Sequence, residues 1–231
     1  MKNILPRLRK GWPAAFLFDL DGTLVDTEMT WARAIVDFLG DRGAATTVEH
    51  LLPVVLGHSW LDIQAAVHRE FPQIPPATAA EDAAALRPYY DRISGDPAAM
   101  VIAGSVAFFK KAAKLAPCAI VSGSPHCDVA VAAEVCGISR QLELVLGVED
   151  YGRGKPAPDG FLKAAELLDV DASECVVVED SSAGVAAGRA AGMHVLGLDR
   201  GGAVRQDFSG CEWLVRDLSE IDVDAVFGDG N

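Results

Sequence analysis

Apolar and polar positions divide this chain into two textures. From Ile102 onward, helical repeats alternate with short, continuously apolar runs. A helix through Val106 to Leu115 precedes Cys118-Ala119-Ile120-Val121, and one through Val129 to Cys136 precedes Leu142 to Leu146. A helix through Phe161 to Leu168 precedes Cys175 to Val178, and one through Ala183 to Ala191 precedes His194 to Leu198. A further apolar run, Ala14 to Phe18, stands near the start. Such runs are strands of a parallel sheet covered on both faces, so the predicted class is α/β, with a doubly wound parallel sheet. Gly184, Gly188 and Gly192 share one face of the last helix and suit close packing of that helix on the sheet.

The stretch between Glu28 and Met100 reads differently. Met29, Trp31, Ala32, Ile35, Val36 and Leu39 recur at helical spacing, and Gly40 and Gly43 end the run. Leu51 to Leu56, Leu61 to Phe71 and Ala79 to Tyr90 continue the helical pattern, with Pro72, Pro75 and Pro76 as breaks. No strand is expected there. Residues 28–100 therefore read as an inserted helical unit, with 1–27 and 101–231 forming the two parts of the sheet domain.

Composition narrows the function. The formal net charge is -13, from 20 basic and 33 acidic residues, which is not a nucleic-acid-binding footprint. An acidic chain repels phosphorylated ligands at long range, so a phosphate site here needs local help from a metal, a lysine and backbone N–H groups. The five cysteines (Cys118, Cys127, Cys136, Cys175, Cys211) contain no CxxC pair and argue against a disulfide framework or a zinc site. Cys118 and Cys175 fall in apolar runs as small core residues. Met1 to Lys10 is mildly basic, but no apolar stretch or cleavage site follows, and no run approaches the ~20 residues of a membrane span. The expectation is a soluble cytoplasmic protein, a monomer or weak dimer.

Four segments at strand ends carry candidate chemistry. Asp19 and Asp21 sit two residues apart after the first strand, where open parallel sheets bind ligands. They suit a nucleophile and a general acid/base, although Asp-Gly is also an ordinary turn. Ser122-Gly123-Ser124 follows the second strand and offers a hydroxyl and N–H groups to an anion, or a simple helix cap. Lys155, between Gly154 and Pro156, could clamp a phosphate or point to solvent; it does not belong to a Walker loop, because Glu149 stands where that motif needs glycine. Glu179-Asp180 could cap the following helix. Placed beside Asp19 and Asp21, the pair would instead crowd four carboxylates together and call for a divalent cation, with all-oxygen ligands favouring Mg²⁺.

In order, spacing and strand context these segments resemble the four motifs of the haloacid dehalogenase superfamily of phosphotransferases. The likeness spans essentially the whole chain and is greatest to the subgroup of β-phosphoglucomutase, phosphoglycolate phosphatase and small sugar-phosphate phosphatases. Gly154 to Phe161 and Val178 to Val185 carry it most strongly. That subgroup inserts a helical cap after the first motif, where this chain has residues 28–100.

The resemblance implies Mg²⁺-dependent hydrolysis of a small phosphorylated metabolite, a sugar phosphate or phosphoglycolate. Asp19 would become an aspartyl phosphate, and Asp21 would protonate the leaving alcohol and then activate water. Asp19, the carbonyl of Asp21 and Asp180 would hold the metal, with Glu179 an outer partner. Thr23, Ser122, Gly123 and Lys155 would bind phosphate. Gly57, His58 and Ser59 fall where the subgroup contacts the rest of the substrate. His58 could equally be a surface histidine, and Trp31 and Trp60 either face the site or pack the helices.

The alternative activity is a β-phosphoglucomutase-type transfer. Trp31 and Pro125 stand where that enzyme's pattern has His and Lys, which favours hydrolysis. A phospho-receiver domain or a non-catalytic binding relative fits less well, given the chain's length and its intact Asp19, Asp21, Ser122, Lys155 and Asp180.

Overall fold

The computed structural model describes residues 12–201 and 204–227; the basic segment Met1 to Lys10 lies outside them. Six strands form one sheet in the order β3-β2-β1-β4-β5-β6, and every pairing is parallel. They are β1 (Ala15–Phe18), β2 (Cys118–Val121), β3 (Leu142–Leu146), β4 (Cys175–Glu179), β5 (His194–Leu198) and β6 (Trp213–Val215). The chain builds outward from β1 to β2 and β3, then returns to place β4, β5 and β6 on its other side. Connections leave β1 in opposite directions, so a crevice opens at its carboxyl end.

Alternate strand residues feed two cores. Phe16, Phe18, Ile120, Val178 and Leu196 pack with Phe108 and Phe109 of α5 (Ala103–Ala112). Leu17, Ala119, Val121, Val177 and Val195 pack with Phe161 of α7 (Asp159–Leu167) and Val185 of α8 (Ser182–Ala190). Burial on both faces is why these strands read as unbroken apolar runs. Cys118 and Cys175 are buried among them.

Every residue from Glu28 to Met100 is described, and none lies in a strand. The segment forms α1 (Glu28–Gly40), α2 (Val48–Val55), α3 (Trp60–Glu70) and α4 (Ala79–Ser94) around a third apolar cluster that includes Ile35, Phe38, Leu51, Ile63 and Leu86. Thr78 and Glu81 form a capping box that starts α4.

Three details differ from the pattern. Helix α6 (His126–Val135) begins directly after Pro125, three residues before its apolar repeat starts, because His126 and Cys127 of its first turn are exposed and add nothing to that repeat. Strand β6 and the short α9 (Val223–Phe227) give no repeat long enough to read. Gly184 and Gly188 do face close neighbours, and a Cβ on Gly188 would lie 2.9 Å from Val195 Cγ2. Gly192 does not share that packing: α8 ends at Ala190, and Gly192 turns the chain at φ +76° with open space around it.

Candidate active site

The site is assembled where β1, β2 and β4 end. Asp19 follows β1 directly, and its N–H donates to Val178 O at 3.0 Å. The chain then turns tightly, with Gly22 N donating to Val25 O at 2.7 Å. Gly22 has φ +86°, and a Cβ there would lie 2.1 Å from Asp180 Oδ2. Only glycine lets the main chain pass so close to that carboxylate. Asp180 Oδ1 accepts the Thr23 hydroxyl at 3.0 Å, so Thr23 is buried and engaged with Asp180.

Glu179 ends β4 and is fully buried. Its Oε2 accepts from the N–H groups of Asp180 and Ser181, both at 3.1 Å, and from the Ser181 hydroxyl at 2.9 Å. The carboxylate occupies the first turn of α8, where a Cβ on Gly184 would meet it at 1.8 Å. Its other oxygen makes no directed hydrogen bond and instead lies 2.6 Å from Lys155 Nζ as an ion pair.

Lys155 reaches in from the loop after β3. Its ammonium also contacts Asp19 Oδ1 and donates to Val121 O at 3.2 Å. Of the two placements open to Lys155, the side chain takes the one at the acid cluster and not the one in solvent.

Asp19, Glu179 and Asp180 each direct one oxygen into a group whose members all lie within 4.8 Å of one another. At an effective dielectric of about 20, each pair of charges that far apart repels by roughly 3.5 kcal/mol. Burial, with Glu179, Asp180 and Asp21 nearby, pushes Asp19 well above the usual carboxylate range despite Lys155. Burial and then Glu179 raise Asp180 likewise. Burial opposes the Lys155 charge, but Asp19 and Glu179 outweigh it and hold its pKa above the ordinary lysine value. One ammonium facing three carboxylates leaves negative charge uncompensated. The all-oxygen donors, and the close approach that Gly22 permits, fit a hard divalent cation.

Asp21 stands apart from this cluster. Its carboxylate accepts three hydroxyls: Thr27 on Oδ1, with Ser124 at 2.7 Å and Ser122 at 3.3 Å on Oδ2. Ser122 Oγ in turn accepts from Ser124 N at 3.0 Å. The loop is pinned from behind by the Tyr151 hydroxyl, which donates to Ser122 O at 2.7 Å.

The helical segment closes over these loops through glycines. A Cβ on Gly57 would lie 2.6 Å from Ser181 Cβ, and one on Gly123 would lie 2.9 Å from Ser59 Cα. Between the layers is a cleft of about 880 Å³, counted to its open mouth. Asp19, Asp21, Gly123 and Lys155 line its floor, and Gly57, His58 and Ser59 line its rim. His58 is exposed, with Nδ1 2.9 Å from Leu56 O. The Ser59 hydroxyl caps α3, accepting from Asp62 N at 3.3 Å and donating to Asp62 Oδ2 at 2.6 Å. Trp31 and Trp60 do both things anticipated of them, lining the cleft and packing on the helical core.

Five lining residues were not anticipated. Ser124 lies inside the Ser122-Gly123-Ser124 segment and Thr27 six residues after Asp21, so both were legible as hydroxyls near the strand ends. Glu28 and the pair Arg87–Asp128 carry no local signal. Glu28 Oε1 accepts from Gly57 N at 3.1 Å, and burial, with Asp21 and Asp19 adding, raises its pKa to about 8.

A doubly wound sheet carrying paired aspartates after its central strand, a lysine and an acid cluster defines a class of hydrolase. The haloacid dehalogenase-like hydrolase model matches residues 13–192, and the chain belongs to that family. It is 35% identical over 202 residues to hexitol phosphatase A of Escherichia coli (strain K12), covering 80% of this chain and 82% of that protein. It is 30% identical over 240 residues to a β-phosphoglucomutase of Mycobacterium bovis, covering 90% of each. Among solved structures, β-phosphoglucomutase from Clostridium difficile shares the fold with a TM-score of 0.77 at 19% identity, covering 91% of this chain and 94% of that one.

Proposed function

We propose that this enzyme is a Mg²⁺-dependent phosphatase of small phosphorylated metabolites that works through an aspartyl phosphate. The observation carrying the reading is the separation of Asp19 from Asp21. One carboxylate belongs to the buried acid cluster with Lys155, and the other lies beyond it under three hydroxyl donors. That division supplies a nucleophile and a proton carrier that do not compete for the same partners.

In this mechanism Asp19 attacks phosphorus in line, the P–O bond to the alcohol breaks, and Asp21 delivers the proton the alkoxide needs. Asp21 then takes a proton from water as the acyl phosphate is hydrolysed. Lys155 and the Gly123 N–H hold phosphoryl oxygens. Ser122 joins them by releasing the longest of the three Asp21 contacts. Asp19, Asp180 and the main chain at Asp21 would hold Mg²⁺, with Glu179 behind them. The ion would offset charge on the transferring phosphoryl group. Thr23 acts by orienting Asp180. Residues 28–100 serve as a cap over the two-part core, with Gly57, His58 and Ser59 at its substrate-facing edge. Among the described residues no helix is long and apolar enough to cross a membrane, and the free cysteines suit a reducing cytoplasm. A monomer or weak dimer suffices for a site built within one chain.

Phosphate release from a panel of sugar phosphates and phosphoglycolate, with Mg²⁺ and with chelator, tests this. Metal-dependent release that disappears in Asp19→Asn supports it, and retained turnover in that variant refutes the mechanism. The mutase reading is favoured by the β-phosphoglucomutase relative. Conversion of β-glucose 1-phosphate to the 6-phosphate without phosphate release would establish it, despite Trp31 and Pro125.

A further inference from the structure

Beyond the phosphate end of the cleft, the charged lining is Glu28, Arg87 and Asp128. Arg87, on α4, is the residue that would meet a second anionic group on a substrate. It is already paired: its Nη2 lies 2.6 Å from each oxygen of Asp128, on α6. The guanidinium also sits 5.6 Å from the ring centroids of both Trp31 and Tyr90. Those two rings are 4.2 Å apart, and Trp31 lies 6.2 Å from Trp60. The Trp60 indole N–H is engaged by Ala79 O at 2.8 Å, so it turns no donor toward a ligand. The walls therefore offer carbon faces and carboxylate oxygens, without an unpaired cation.

We propose that this cleft selects phosphate monoesters whose leaving group is an uncharged polyol or sugar, and that Asp128 enforces the choice by neutralising Arg87. The inference rests on the phosphatase reading and names its substrate class. A hydroxylated carbon skeleton can lay its C–H face on the tryptophans and donate hydroxyls to carboxylates. A second phosphate or a carboxylate would be stripped of water beside Asp128 with no free positive partner. Discrimination here comes as much from the lack of a free cation, which Asp128 ensures, as from any attractive contact.

The test compares kcat/KM for glucitol 6-phosphate and fructose 1-phosphate with that for phosphoglycolate and fructose 1,6-bisphosphate. The native enzyme should favour the first pair by at least about tenfold, the size of a single 1.4 kcal/mol difference. Asp128→Asn frees the Arg87 charge and should narrow that ratio by roughly tenfold. Adding Arg87→Met to it should restore the ratio. Should the Asp128 variant fail to fold, Arg87→Met alone must widen the ratio, because Asp128 is then left bare. Equal or better turnover of the second pair by the native enzyme overturns the proposal and leaves a phosphatase standing. So does a ratio that Asp128→Asn leaves unmoved. Absence of release from all four esters overturns the phosphatase reading and this one with it.

Discussion

Replacing Lys155 with methionine keeps the length of the side chain and removes the charge that holds the acid cluster together. Lys155 is buried, with Nζ 2.6 Å from Glu179 Oε1 and in contact with Asp19. Taking about 4 Å between charge centres and an effective dielectric of about 20, each pairing attracts by roughly 4 kcal/mol, part of which desolvation of the ammonium offsets. Breaking such a buried pair costs about 3–5 kcal/mol, which for a chain of this size lowers Tm by roughly 10 °C.

The sign of the pH dependence sharpens the test. Asp19 and Asp180 are raised above their unfolded values, so the folded state holds protons that the unfolded state releases, and stability falls as pH rises through that interval. Loss of Lys155 removes an influence that lowers both groups, so the variant protonates them more readily. Lys155 itself stays charged throughout this range and adds no slope. The deficit of Lys155→Met, measured by urea unfolding in chelator, should therefore grow with rising pH and be larger at pH 8 than at pH 5.5. A deficit below about 1 kcal/mol, or one equal at both pH values, would show that Lys155 does not neutralise buried acids.

Other outcomes follow from the same geometry. Asp21→Asn should slow turnover severely for alkyl phosphates and least for aryl phosphates with good leaving groups; an equal loss across the series would remove its role as proton donor. Glu28→Gln should raise stability in chelator above pH 7, because Glu28 keeps its proton up to about pH 8 when folded but loses it near the ordinary glutamate value when unfolded, so stability falls across that interval, whereas glutamine does not titrate and still accepts from Gly57. A drop in Tm at pH 8.5 would contradict that account. Gly188→Ala places a methyl 2.9 Å from Val195 Cγ2 and 3.3 Å from Val177 Cβ, so it should cost about 1–3 kcal/mol of stability, read by thermal melting.

The sheet was legible from sequence because its strands are covered on both faces. Phe16 to Phe18, Ile120 and Val176 to Val178 face one core or the other at every step, so the runs contain no polar interruption. Strand β6 breaks that rule: Trp213 is buried while Leu214 is 47% exposed, and three residues of alternation are too few to distinguish a strand from a loop. The floor of the site was legible for a related reason. A parallel sheet brings all its strand ends to one edge, so acids read one at a time after Phe18 and Val178 become neighbours through topology alone, as the register of β1 on β4 shows.

The cleft above that floor follows a different logic. Arg87 and Asp128 lie 41 residues apart, on helices of different layers, and nothing in either helix's own periodicity marks the partner. The contacts of Gly57 on Ser181 and of Gly123 on Ser59 likewise depend on how the helical segment settles on the sheet. In the proposed reading, strand-end residues carry the chemistry of phosphoryl transfer, and inter-layer contacts shape what surrounds the leaving group. Motifs that report only the first can be shared by proteins named for different reactions, as the hexitol phosphatase and β-phosphoglucomutase relatives are. Within this fold, substrate preference should therefore change by substitution at positions such as Asp128 while Asp19, Asp21, Lys155 and Asp180 stay fixed.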